Sequence, residues 1–285
     1  MVILLIPFIA LLGIRIYGGM KMRKPNQEIF DYLASQNVKG VMDTLTLRKR
    51  DITYLLTSNE KKHKDAIVFV HGSPGSIDAF LEYLADTTLL SMADLITYDR
   101  PGYGHSGYGN AMTSLTEQTN ILSSLLKSFK YERYWLVGHS YGGPIIVQMA
   151  MRHPQKIAGM VIIAGSVSPE LEPKAGWRKW INIPMLRQLW PVSLRVSNEE
   201  LMPLKHDLMM IEDDWDRIRV PVSIIHGTKD VLVSFKNLEY AKEKLTRADT
   251  VRTKIFEGES HFIVWSHKSQ IVEEIKALIE YTKNK

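Results

Sequence analysis

Apolar residues in this chain gather in short runs whose spacing alternates between two periods. Ala66–Val70 (AIVFV) is continuously apolar and stops at His71-Gly72, as a strand buried on both faces reads. Leu95–Tyr98, Tyr134–Val137, Ile157–Ala164, Val220–Ile225 and Val251–Phe256 repeat that pattern. Between them lie helical stretches: Ile77–Asp86, residues 113–130 with Leu115, Ile121, Leu122, Leu125 and Leu126 on one face, Tyr141–Arg152, residues 235–245 and residues 268–282. Strands alternating with helices predict an α/β fold, a mostly parallel central sheet flanked by helices. Upstream, residues 26–39 predict a short amphipathic helix, and Thr44–Leu47 and Asp51–Thr57 two strands about a basic turn.

Two stretches break this rhythm. From Ser166 to about Asp214 there is no strand-like run, but there are four prolines (Pro169, Pro173, Pro184, Pro191) and three tryptophans (Trp177, Trp180, Trp190). Trp177, Trp180 and Ile181 fall at i, i+3, i+4, which predicts an insertion of short helices over the carboxyl end of the sheet, where open parallel sheets bind ligands. Met209-Met210 and Trp215 suit packing beneath this cap, and Glu212–Asp214 a solvated face or a helix start. The other stretch is Val2–Ile14 (VILLIPFIALLGI), uninterrupted and apolar. It reaches the roughly 20 residues that span a bilayer only if Arg15 snorkels. Nothing basic precedes it and no Ala-x-Ala-like site follows, so a cleaved leader fits poorly.

We expect membrane association through residues 1–20, the basic Lys21, Arg23 and Lys24 placing the main domain on the cytoplasmic side. The alternatives are an exported, anchored protein, a buried core helix, an N-terminal strand or an unsuitable start site. The expected division is an apolar segment over 1–20, a lead-in over 21–43, a core over 44–166 and 215–285, and a cap over 167–214.

Composition narrows the function classes. With 285 residues, 45% apolar and 24% charged, the chain can bury a full core. The absence of cysteine removes disulfides, thiolate metal sites, a cysteine nucleophile and a lipoprotein anchor. Residues 1–50 carry eight basic and three acidic side chains, which accounts for the whole net charge of +5. The remainder is neutral, with no basic stripe for nucleic acid.

Gly138-His139-Ser140-Tyr141-Gly142 falls between a buried strand and a helix. A serine at such a turn is held clear of the sheet, with the unpaired N–H groups of a helix start behind it. Its hydroxyl attacks only if a base takes the proton and a third group orients that base. Asp230, after strand 220–225, and His261, after strand 251–256, supply both in the order Ser, Asp, His.

These motifs, with His71-Gly72-Ser73-Pro74-Gly75, Asp99-Arg100-Pro101-Gly102-Tyr103-Gly104-His105-Ser106 and Gly227-Thr228-Lys229-Asp230, resemble the cap-bearing branch of the α/β-hydrolase fold superfamily, from about Asp65 to the C-terminus. The resemblance implies Ser140 as nucleophile, His261 as general base and then acid, and Asp230 as the orienting carboxylate. It also implies an oxyanion hole from the main-chain N–H groups of Tyr141 and Ser73. Serine at 140 argues against the epoxide-opening and dehalogenating relatives, which carry aspartate there.

The expected activity is hydrolysis of an ester or related acyl bond in a small-molecule substrate through an acyl-enzyme, with an apolar or lipid-derived substrate as the narrower expectation. No cofactor or metal is implied. A carbon–carbon bond hydrolase and a peptidase use the same triad and stay open, although Gly72-Ser73 stands where proline-releasing peptidases show a double glycine. A non-catalytic, membrane-tethered binding protein is a third alternative. Glu170 competes with Asp230 for the acid, His71, His139 and His226 read as structural, and Asp99 as a brace for its loop.

Overall fold

The computed structural model describes residues 23–61, 63–173, 176 and 190–284. The apolar run Val2–Ile14 and Trp177, Trp180, Ile181 and Pro184 lie outside the described residues. Eight strands form one sheet in the order β1-β2-β4-β3-β5-β6-β7-β8. They are β1 (Lys39–Leu47), β2 (Arg50–Ser58), β3 (Asp65–Val70), β4 (Asp94–Tyr98), β5 (Arg133–His139), β6 (Ile157–Ile163), β7 (Val222–Gly227) and β8 (Val251–Phe256). β2 runs antiparallel to both its neighbours, and β4, β3, β5, β6, β7 and β8 are parallel throughout. The mostly parallel sheet and its flanking helices are the α/β architecture that the alternating periods predict.

The helices in chain order are α1 (Asn26–Ser35), α2 (Leu81–Leu84), α3 (Thr87–Leu90), α4 (Leu115–Ser128), α5 (Gly142–Arg152), α6 (Val192–Leu201), α7 (Leu204–Met209), α8 (Lys236–Lys244), α9 (Ile263–Ser266) and α10 (Lys268–Lys283). In β3 every residue is buried, and alternate side chains serve two cores. Ala66, Val68 and Val70 pack with α4 and α5, while Ile67 and Phe69 pack with α1, α2, α3 and α10. The helical face read over 113–130 is buried in α4 as expected, and Ser114 caps its first turn by accepting from Glu117 N–H.

Several boundaries differ from the pattern-based reading. The helix read over 26–39 stops at Ser35, because Asn37 takes a left-handed conformation (φ 56°) and Val38 N–H returns to the Leu33 carbonyl. β1 then begins at Lys39, five residues before the strand read at Thr44. It is an edge strand with half-buried positions and holds Lys39, Gly40 and Asp43, so its hydrophobic signal is weak. The stretch Ile77–Asp86 is a 3₁₀ turn over Ile77–Phe80 followed by α2, and Asp86 starts α3 by accepting from the N–H groups of Thr88 and Leu89. β7 starts after Pro221, whose missing N–H cannot join the ladder, and extends to Gly227.

Between β6 and β7 lie α6, α7 and a 3₁₀ turn over Glu212–Arg217. Met209 and Met210 are 56% and 71% exposed, contrary to the expectation that they pack beneath the cap. The buried face of α7 is the i, i+4 pair Leu204 and Leu208, which turns Met209 and Met210 outward. Trp215 is buried, in the same core as Ile218. Among the described residues no helix is long and apolar enough to cross a membrane.

Candidate active site

The carboxyl ends of β3, β4, β5, β7 and β8 deliver His71–Ser73, Asp99–Arg100, Ser140, Asp230 and His261 to one edge of the sheet. The turn after β5 is the tightest of these. Ser140 sits at φ 55°, a left-handed conformation rare for a residue with a Cβ. It is held there by Ser140 N–H donating to Ile163 O at 3.0 Å and by Gly143 N–H donating to Ser140 O at 2.9 Å. The flanking glycines are required by close approach: a Cβ on Gly142 would collide with the Val70 carbonyl, and one on Gly138 with the backbone of Gly142. Gly142→Ala is expected to lose about 3 kcal/mol of stability, the upper end for overpacking, read as a fall in the urea midpoint, because the colliding atoms of Val70 and His71 are all backbone.

Asp230 and His261 are joined by a 2.7 Å contact between Oδ2 and Nδ1. Their loops are tied together by Lys229 N–H donating to Glu259 O at 2.8 Å. Asp230 Oδ1 accepts from the N–H groups of Leu232 (2.9 Å) and Val233 (2.8 Å), and Oδ2 lies 3.1 Å from His226 Nε2. His226 Nε2 also faces the Val233 carbonyl at 3.0 Å, so it carries the proton and donates to both oxygens. Burial would raise the Asp230 pKa, but hydrogen bonds from His226 and His261 outweigh it and hold the carboxyl well below the usual range. Glu170, the competing acid, is exposed and makes no hydrogen bond to His261.

The sign of the Asp230 shift fixes a pH dependence. A carboxyl whose folded pKa is depressed stabilises the fold above its unfolded value of about 3.9, and that contribution is lost as pH falls toward the folded value. Asp230→Asn is therefore expected to melt below wild type at pH 7, with the gap narrowing in melts taken progressively below about pH 4. A gap that stayed constant would show that the charge of Asp230 does not stabilise the fold.

The histidines read as structural have identifiable partners. His71 is fully buried, with Nδ1 at 2.8 Å from Gly72 O and Nε2 accepting from Arg100 N–H at 2.9 Å. Burial and then the Arg100 charge push its pKa well down, so the ring is neutral, with its proton on Nδ1. His139 packs at 4.8 Å between ring centroids from His261, and its Nε2 faces the His261 carbonyl at 3.3 Å. Burial, then the neighbouring imidazole of His261, push His139 down to about 3. Asp99 braces its loop by accepting from Ile77 N–H (2.8 Å) and His105 N–H (2.7 Å).

Ser73, Ser140, Tyr141 and His261 all line one cavity of about 510 Å³. Among the described residues no hydrogen bond joins Ser140 Oγ to His261 or to any other group, and both residues line this cavity. Ser166 Oγ donates to Glu172 in the same wall. Leu171, Leu201, Leu232, Val233, Phe262 and Trp265 supply apolar lining. Among the described residues no group of three or more histidine, aspartate or glutamate side chains is placed to hold a metal ion.

Pattern reading missed the group that ties α6 to this edge. Arg100 is fully buried and pairs with Glu200 of α6, at 2.7 and 2.9 Å. Tyr103 Oη and Gln118 Nε2 also donate to Glu200, at 2.6 and 2.8 Å. The same guanidinium donates to the carbonyls of His71 (3.0 Å) and Gly72 (2.7 Å), immediately before Ser73. Ser73 Oγ donates to Ser197 Oγ, again on α6, at 2.8 Å. Arg100 could have been noticed within its motif, but no local pattern links it to Glu200, 100 residues downstream.

Comparison with known proteins agrees with this architecture. The family model described as alpha/beta hydrolase fold matches residues 65–191. An uncharacterized protein of Mycobacterium tuberculosis is 23% identical over 235 residues, covering 66% of this chain and 68% of that one. A proline iminopeptidase of Lactobacillus helveticus is 28% identical over 140 residues, 48% of each chain. An acetoin-system dihydrolipoyllysine acetyltransferase component of Cupriavidus necator is 27% identical over 100 residues, and the match spans only 26% of its length. Among solved structures, a bacterial membrane phospholipase A superposes with a TM-score of 0.67 at 16% identity over the whole of both chains. A putative lipase of Acinetobacter baumannii gives 0.67 at 16% identity, over 92% of this chain and 97% of that one.

Proposed function

From the α/β-hydrolase fold, whose family model matches residues 65–191, we propose that this chain is a serine hydrolase cleaving an ester or related acyl bond. The observation that carries the reading is the Asp230–His261 contact at 2.7 Å, with His261 lining the same cavity as Ser140, a serine at φ 55°. Asp230 accepts the Nδ1 proton of His261, which leaves Nε2 as the unprotonated base. Ser140 Oγ attacks the substrate carbonyl while its proton passes to Nε2. The main-chain N–H groups of Tyr141 and Ser73 hold the resulting oxyanion, a role in which one lost donor costs about 3–4 kcal/mol of barrier. His261 then protonates the departing alkoxide, and the C–O bond to the leaving group breaks. Water attacks the acyl-enzyme, gives its proton to Nε2, and the acid leaves as Ser140 takes that proton back.

The apolar lining supports an apolar acyl chain. The Val2–Ile14 run supports a membrane-tethered enzyme. The test is covalent labelling with a fluorophosphonate. The wild type is expected to label at Ser140, and a panel of p-nitrophenyl esters to be turned over better as the acyl chain lengthens. A folded wild type that neither labels nor hydrolyses any ester would establish the binding-protein alternative instead.

A further inference from the structure

The mouth of the cavity is apolar on its outer surface as well as its inner one. Leu232, Phe262 and Trp265 line the cavity and are nevertheless 58%, 53% and 43% exposed, and Val231 beside them is 91% exposed. These are among the largest exposures of apolar side chains in the described structure, and they fall on the loop that carries Asp230 and on Phe262 and α9, which follow His261. Phe262 and Trp265 contact one another at 5.9 Å, and Trp265 Nε1–H donates to Ala79 O. Water-exposed apolar side chains gathered around an entrance, rather than scattered singly, mark an interaction surface.

The chain itself indicates what covers them. Lys24 N–H donates to Asp78 Oδ2 at 3.1 Å, and Asp78 and Ala79 both line the same cavity. The described chain therefore begins beside the rim. Ile14, the last residue of the apolar run, precedes Arg23 by nine residues, so even fully extended it starts within roughly 30 Å of that point. Exposed Arg23, whose guanidinium lies 3.3 Å from His105 Nδ1, precedes Lys24 on this side, and exposed Lys229 stands two residues before Val231. Asp78 is the carboxylate of the same rim. Glu259, on the Phe262 loop, faces His267 at 3.6 Å.

We propose that the rim of Val231, Leu232, Phe262 and Trp265 docks on an anionic phospholipid bilayer. The cavity then opens onto the lipid phase, and its substrate is a lipid ester or a lipid-soluble ester that enters without crossing water. The substrate part rests on the hydrolase reading; the docking part stands on the surface alone.

Because the chain has no cysteine, a single substitution gives a unique labelling position. Full-length protein carrying Val231→Cys is labelled with an environment-sensitive nitrobenzoxadiazole probe and reconstituted in phosphatidylcholine–phosphatidylglycerol vesicles. The control is Gln155→Cys, an exposed position just before β6, at the opposite end of the parallel strands. At residue 231 the emission is expected to shift to the blue and be quenched by doxyl-labelled lipid, while residue 155 stays water-like. A water-like signal at 231, or equal responses at both positions, would overturn the proposal. A lipid-buried 231 in a protein that hydrolyses no ester would leave docking standing and refute the hydrolase reading.

Discussion

Ser140→Ala is expected to lower turnover of any ester substrate by roughly 10⁴- to 10⁶-fold and to abolish fluorophosphonate labelling, with the melting temperature almost unchanged. The size follows from the mechanism: without Oγ there is no acyl-enzyme, and only the oxyanion donors and binding remain to accelerate attack by water. The fold should not notice. Alanine keeps the Cβ that makes φ 55° costly, and Ser140 Oγ makes no hydrogen bond among the described residues. Ser140→Gly provides an internal check, since it loses the same chemistry while relieving about 1 kcal/mol of left-handed strain. It should therefore melt above wild type. If Ser140→Ala retained more than a trace of wild-type turnover, the nucleophile would have to lie elsewhere.

Glu200→Ala should produce the largest loss of stability, about 3–5 kcal/mol, because it strands a fully buried Arg100 charge. Tyr103 Oη and the Gln118 amide lose an acceptor in the same step. Removing both charges, as Arg100→Met with Glu200→Leu, is expected to cost clearly less than the two single changes added together, since no unpaired ion is left. Urea unfolding of the four-member cycle measures this coupling, and strict additivity would show that the pair contributes nothing as a pair. The double variant also strips the carbonyls of His71 and Gly72 of their Arg100 donors. Under the proposed oxyanion role of the Ser73 N–H, kcat should fall more than KM rises. A change confined to KM would assign Arg100 and Glu200 to holding α6 alone.

The cost of the Arg100–Glu200 pair also explains its place. A buried ion pair adds little net stability compared with apolar residues of the same volume, but its geometry is specific. Here it fixes one helix of the segment between β6 and β7 against the loops after β3 and β4, and Ser73–Ser197 reinforces the same register. The walls of the cavity from Ser73 to Leu201 are thereby set by one hydrogen-bonded group.

Much of this was legible in the order of residues. Continuous apolar runs such as AIVFV can be strands only if both faces are covered, so the parallel sheet follows from burial chemistry. The spacing on α4 names its buried face, and Gly138 and Gly142 announce a turn that admits no Cβ. Ser140, Asp230 and His261 could be picked out because each follows a predicted strand. The edge strand β1 was half missed, since pairing along β2 supplies what its weak hydrophobic pattern does not.

What the chain determined alone is therefore the alternation of elements and the side chains at the ends of its strands, because both depend on local periodicity and steric need. Tertiary structure alone decided that Asp230, and not Glu170, meets His261, and that Glu200 is a buried partner rather than a solvated charge. It also turned Met209 and Met210 outward and gathered the exposed Leu232, Phe262 and Trp265 along one cavity. Each of these depends on residues separated in the chain meeting in space, and a side chain's exposure is a property of its neighbours there.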